Sequence, residues 1–320
     1  MKISRAKFTI IISILVILIV SVVFLHYFLS MNGERKHHPL IAIYPTNVSG
    51  HHPVHNTEQF LADLILVKDL GFEGVRLHPV DYDDYGYRKV AEDLEDLGLK
   101  FVMVIEFNIT DNVELFNQNI NYFCNVAQEL IDKPNLLWYA LKYPYDWTRP
   151  YTQMEEPNYR FQLQTMIDEI HETDPNHKIF LISGMIDTVA TPPTDLENID
   201  GFGIQPYSRD GQVDKLDAER IDWIEKYRAT GKEVYIAEWG VQTLENSPNR
   251  KYDYGLVSNE SMKVEMIKDF LHYINNWDIY WTYFGLHDYI DENSDWGIVY
   301  NDNSLKPSGV TFKKILTNLK

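Results

Sequence analysis

Eight short apolar runs, set roughly 25 to 45 residues apart and separated mostly by amphipathic stretches, constrain this 320-residue chain more than any other feature. Leu40–Tyr44, Gly74–Pro79 (GVRLHP), Lys100–Phe107 (KFVMVIEF), Leu136–Tyr143 (LLWYALKY), Lys178–Ser183 (KIFLIS), Gly201–Pro206 (GFGIQP), Glu233–Ala237 and Ile279–Leu286 (IYWTYFGL) each read as a strand. Between them, Thr57–Leu70 and Tyr85–Leu97 read as helices stopped by Gly71 and Gly98. Asp111, with Glu114 three residues on, reads as a capping box opening a helix that runs to about Ile131. Further helices are expected over Tyr159–Glu172, Lys215–Thr230, Ser258–Asn276 and from Lys306 to the end. Strands joined through helices pair in parallel, because each crossover carries its helix across one face of the sheet. A doubly wound open sheet uses the same ingredients, but eight such units in this length match a closed (β/α)8 TIM barrel. In a barrel the site forms where strands end, so Arg76, His78, Glu106, Tyr143, Tyr207, Glu238 and the residues around Asp288 are expected at one mouth.

The barrel is expected to occupy residues 39–320 as one domain, behind an amino-terminal attachment. Residues 8–30 (FTIIISILVILIVSVVFLHYFLS) are apolar apart from small hydroxyls and one histidine, long enough to cross ~30 Å of hydrocarbon. Residues 1–7 form a basic tail carrying Lys2, Arg5 and Lys7, and no small-x-small cleavage site is evident, which favours an uncleaved transmembrane anchor over a cleaved signal. With the basic tail cytoplasmic, a polar linker at 31–38 leads to a barrel outside the cell, although Arg35 and Lys36 weaken the charge asymmetry. Asn47, Asn108 and Asn259 then present Asn-x-Ser/Thr triplets to any glycosylation machinery. The net charge of −18, with no block of Lys and Arg, excludes nucleic acid as the partner. The single cysteine, Cys124, lies in an apolar helical run and reads as a packed thiol.

The stretch Val234–Gly240 (VYIAEWG) carries the strongest chemical signal. A buried carboxylate costs several kcal/mol unless it is paired or hydrogen-bonded, so Glu238 closing an apolar strand points to a site. Aromatic rings offer flat apolar faces, and Trp147, Tyr145, Trp239, Trp281 and Phe284 fall at expected strand ends or loops.

Taken in order, GVRLHP, GFGIQPY, VYIAEWG and DWGIVYNDNSLKPSGVTFKKI resemble the retaining glycoside hydrolases of clan A, the (β/α)8 enzymes that include cellulases, mannanases and β-galactosidases. The resemblance covers nearly the whole domain. It implies a carbohydrate substrate, a β-linked polysaccharide or surface glycan, no cofactor and no metal. It also implies Glu238 as nucleophile, with Arg76 and Tyr207 beside it, and His78, Trp147, Trp239, Trp281, Phe284 and Asp288 around the sugar. Such chemistry needs an ionised carboxylate to attack the anomeric carbon and a protonated one ~5–5.5 Å away to supply the leaving oxygen with a proton. In the family strand four ends Asn-Glu-Pro, with the Glu as acid/base; here the aligned residues are Lys142-Tyr143-Pro144. A tyrosine with its ordinary pKa near ~10 is a poor proton donor near neutrality. Three explanations stand. Glu106 or Asp146 substitutes, with Asp81, Glu155 or Glu156 behind them; or Tyr143 is activated for a different glycosyl chemistry; or catalysis is lost and the barrel binds glycan. Strand eight departs too, with Phe284 at the usual stacking position and Trp281 three residues earlier. His51, His52 and His55 lack partners at metal-ligand spacing, and the Asp81–Tyr85 run (DYDDY) lacks the glycine and terminal glutamate of a calcium loop.

Overall fold

The computed structural model describes residues 38–43, 57–79, 85–106, 110–142, 157–185, 195–207, 218–243, 256–274, 277–288, 295–300 and 302–318. The apolar stretch at 8–30 lies outside these, and among the described residues no helix is long and apolar enough to cross a membrane.

The chain alternates as expected. β1 (His38–Ala42), α1 (Thr57–Leu70), β2 (Gly74–Leu77), α2 (Tyr87–Asp96), β3 (Lys100–Glu106), α3 (Val113–Leu130), β4 (Leu136–Lys142), α4 (Pro157–Thr173) and β5 (Lys178–Met185) make the first half. β6 (Gly201–Gln205), α5 (Ala218–Arg228), β7 (Glu233–Trp239), two-residue strands β8 (Gln242–Thr243) and β9 (Leu256–Val257), α6 (Glu260–Ile274), β10 (Tyr280–Tyr283) and α7 (Pro307–Asn318) make the second. Eight strands close into a ring in the order β1-β10-β7-β6-β5-β4-β3-β2, every neighbouring pair parallel; β8 and β9 pair only with each other. This is a (β/α)8 barrel.

Most elements lie within a few residues of expectation, and the differences have local causes. α1 and α2 stop where Gly71 and Gly98 take φ values of 95° and 68°, a conformation that glycine adopts without strain. The cap of α3 is Asn112, not Asp111: its side chain accepts from the backbone N–H of Glu114 and Leu115 at 3.0 and 3.2 Å. The last barrel strand is shorter than the expected Ile279–Leu286, although the Leu286 N–H still reaches the Ala42 carbonyl at 3.0 Å.

Period-two alternation divides the strands into two layers. Val75, Leu77, Met103, Ile105 and Leu141 face outward and pack against the helices. Leu40, Val102, Val104, Ala140, Ile182 and Ala237 face the barrel interior. Toward the amino-terminal ends of the strands, Trp138 meets Phe180, Tyr235 and Tyr280 at ring-centroid distances of 4.7, 4.9 and 5.0 Å. Tilted and edge-to-face aromatic pairs of this kind add about 0.5–1.5 kcal/mol each beyond burial, so one end of the barrel is a packed floor. The strands terminate at the other end, where (β/α)8 barrels form their sites.

Candidate active site

Glu238 reaches that end through an irregularity in β7. Trp281 of β10 pairs with Ile236, and Tyr283 with Trp239, so three steps along β7 match two along β10. The extra residue is a β-bulge, which re-aims side chains. Ile236 and Trp239 both face the helices, Ala237 faces inward, and the carboxylate of Glu238 is turned onto residues of β2 and β6 instead of into the helix layer.

There it is 6% exposed and held by three donors. Arg76, fully buried on β2, brings Nη1 to 2.9 Å from Oε2. Gln205 Nε2 donates to Oε2 at 3.1 Å, and Tyr207 Oη donates to Oε1 at 2.9 Å. Hydrogen bonds to a charged group contribute about 1.5–3 kcal/mol each, so three of them offset the several kcal/mol of burying the charge. Arg76 and Gln205 point inward because their strand neighbours Val75, Leu77 and Ile204 face the helices. Tyr207 is brought back over the end of β6 by a tight turn, its N–H donating to the Gln205 carbonyl at 2.9 Å. Gly203 makes room beneath: a Cβ there would stand 2.6 Å from the Tyr235 ring and 2.9 Å from Ala237 Cβ.

Across the mouth, Glu106 ends β3, four strands from β7 in either direction round the ring. Its side chain is 38% exposed, with Lys142 Nζ 3.4 Å from Oε1 and His78 Nδ1 3.7 Å from Oε2. His78 itself is buried. The arrangement is a fixed, buried carboxylate on β7 and, on the opposite strand of the ring, a more exposed one with Lys142 and His78 beside it.

Other expected site residues are placed elsewhere. Trp239 lies outside the barrel, stacked on Phe270 of α6 with centroids 3.8 Å apart and planes 4° off parallel. Trp281 is buried in the same layer, between Phe72, Phe270 and Phe312, because alternation along β10 sends it away from the interior. Neither presents a face to a ligand in the mouth. Asp288 is taken up by the closing segment: its carboxylate accepts from Lys306 Nζ at 2.8 Å and from the Gly297 N–H at 2.8 Å. Phe284 is half-buried, its N–H donating to the Trp239 carbonyl and its ring edge-on to Trp296 at 5.6 Å. Tyr143, Asp146 and Trp147 lie outside the described residues, as do Tyr145, Asp81, Glu155, Glu156 and the three histidines at 51, 52 and 55. Sequence reasoning missed Gln205, whose signal was its period-two spacing from Gly203 on an inward face. It also missed Trp296, whose buried indole meets the Tyr207 ring at 5.8 Å and 69°. Among the described residues no three His, Cys, Asp or Glu side chains are placed to hold a metal ion.

No family model matches the chain, and no curated protein matches it significantly. Many solved structures do match in fold. A GH2 β-galacturonidase from Eisenbergiella tayi, bound to galacturonate, superposes with a TM-score of 0.65 at 14% identity, over 88% of this chain and 51% of that one. A GH5_18 protein from Streptomyces cattleya, in complex with Manb1-4GlcNAc, gives 0.62 at 14% identity over 89% and 81%. A β-D-glucuronidase from Dictyoglomus thermophilum gives 0.58 at 13% over 89% and 50%. The chain thus spans 34% to 50% of the length of this and other glucuronidases it matches. By fold, this chain is a (β/α)8 barrel of the kind found in glycoside hydrolases.

Proposed function

We propose that the chain is a glycoside hydrolase-like protein that cleaves O-glycosidic bonds of a carbohydrate with retention, Glu238 being the nucleophile. The observation that carries this reading is the buried Glu238 carboxylate with Arg76, Gln205 and Tyr207 on its two oxygens. Donors on both oxygens orient the group, and attack on an anomeric carbon requires an oriented carboxylate. The proposed substrate is a β-linked polysaccharide or surface glycan. Ligands bound by fold neighbours, a coumarin glucuronide, galacturonate and Manb1-4GlcNAc, support a sugar in such a mouth. For proton transfer the reading uses Glu106, the accessible carboxyl that ends the strand opposite β7 in the ring, with Asp146 as the other choice from the sequence.

The proposal includes the membrane. Residues 8–30 span it once as an anchor, residues 1–7 stay in the cytoplasm, and the barrel from residue 39 stands outside on the linker at 31–38.

One observation, the engagement of Glu106 by Lys142, favours a second reading, an inactive barrel that binds glycan or serves the cell envelope. The resemblance noted in the sequence, which sets Tyr143 at the acid/base position, supports the same reading. A panel of polysaccharides and aryl glycosides, offered to the chain and to Glu238→Gln, separates the two. Hydrolysis that Glu238→Gln abolishes while sugar binding persists supports the enzyme; a wild type that binds but never cleaves supports the second reading.

A further inference from the structure

A buried lysine grips the backbone behind the candidate nucleophile. Lys263 of α6 is 0% exposed, and its Nζ donates to three successive carbonyls, those of Asp295, Trp296 and Gly297, at 2.9, 3.3 and 2.8 Å. Lys306 binds the carboxylates of Asp288 and Asp295 from the other side, and Thr243 donates to Asp295. Tyr283 Oη adds a hydrogen bond to the Trp296 carbonyl at 3.3 Å. Burying an ammonium costs several kcal/mol unless it is hydrogen-bonded, and a methionine would fill similar space without that cost. What the lysine supplies is a fixed location for the 295–297 backbone.

That backbone carries Trp296, and the indole is wedged between the two segments that make the site. On one side its ring meets Tyr207 edge-on at 5.8 Å; on the other it lies against Gly240, two residues past Glu238, where a Cβ would stand 3.1 Å from Trp296 Cε3. Phe284 closes a third side. The indole thus fixes how far the Tyr207 ring stands from the end of β7, and so the 2.9 Å hydrogen bond from Tyr207 to Glu238.

We infer that Trp296, clasped by Lys263, is a positioning residue that holds Tyr207 in hydrogen-bonding contact with Glu238. Its catalytic meaning rests on the reading of Glu238 as nucleophile; the geometry does not.

The test is a crystal structure of the full chain as wild type, Trp296→Ala and Lys263→Met, with Trp296→Leu in reserve should the alanine variant fail to fold. Tyr207 Oη is expected within about 3.0 Å of Glu238 in the wild type and beyond the ~3.5 Å limit of a hydrogen bond in Trp296→Ala, with Lys263→Met moving the same way by less. A Tyr207–Glu238 bond that persists in Trp296→Ala or Trp296→Leu overturns the inference. On any glycoside the wild type turns over, kcat is expected to fall about tenfold in Trp296→Ala with KM within about twofold, the size of one lost hydrogen bond to a charged group. Equal kcat in both proteins also overturns it. Because the crystal distance needs no turnover, a chain that cleaves nothing counts against the proposed activity and leaves the positioning decided by that distance.

Discussion

Removing the guanidinium of Arg76 is the perturbation whose outcome depends most on the geometry of the site. Arg76 is fully buried and its partner Glu238 nearly so, with Nη1 2.9 Å from Oε2. An exposed ion pair would be worth ~0–1 kcal/mol, whereas stripping one partner from a buried pair costs about 3–5 kcal/mol because a desolvated charge is left behind. Arg76→Met and Glu238→Gln are each expected to lose that amount, a large part of the ~5–15 kcal/mol that stabilises a typical protein. At roughly 2–4 °C per kcal/mol for a domain of this size, each lowers Tm by about 6–20 °C. In Arg76→Met/Glu238→Gln no unpaired charge remains, so the loss should fall short of the sum of the singles by about 2–3 kcal/mol. Thermal unfolding of the four proteins under one set of conditions gives the cycle. Additive losses would refute the claim that the two groups form a buried, mutually dependent pair.

Three further outcomes follow from the same geometry. Gly203→Ala drives a methyl into the Tyr235 ring and Ala237, so it should destabilise by about 1–3 kcal/mol and abolish sugar binding, read by thermal unfolding and calorimetry. Trp239→Ala should cost about 3–5 kcal/mol while leaving the KM of any substrate within about twofold, because its ring packs on Phe270 outside the barrel. Burial pulls the Lys263 amine down to about 8 from its ordinary 10.5. Its unfolded form therefore binds more protons between those values, so this group's contribution is present above about 10.5 and lost as pH falls through about 8. Wild type should accordingly gain about 3 kcal/mol on Lys263→Met between pH 8 and 10.5, measured by urea unfolding.

The barrel was legible because its signals are local. Apolar runs such as KFVMVIEF and stops such as Gly71 and Gly98 act within a few residues, and the structure departs from them only by end effects such as the one-residue shift of the α3 cap to Asn112. Arg76, Gln205 and Glu238 are far apart in sequence and meet only because the ring closes, yet two of the three could be chosen by their place at strand ends. Sidedness was the part the sequence concealed. Strict alternation cannot show that one extra residue in β7 sends Trp239 to the helices and Glu238 to the mouth, since the bulge depends on pairing with β10. Trp281 packs in the helix layer, and Asp288 is taken up by a lysine 18 residues away that no periodicity announces. Asp295, the other carboxylate on that lysine, is pushed up by burial but pulled down to about 2 by Lys263 and Lys306, a balance of long-range contacts.

The account turns on whether Glu238 attacks sugar. Incubation with a panel of activated 2-deoxy-2-fluoro-β-glycosides, which slow hydrolysis of a glycosyl-enzyme intermediate, followed by peptide mapping by mass spectrometry, asks this directly. One fluoroglycosyl adduct is expected, on Glu238. An adduct on another carboxylate, or none from a protein shown to bind the same sugars, would contradict it.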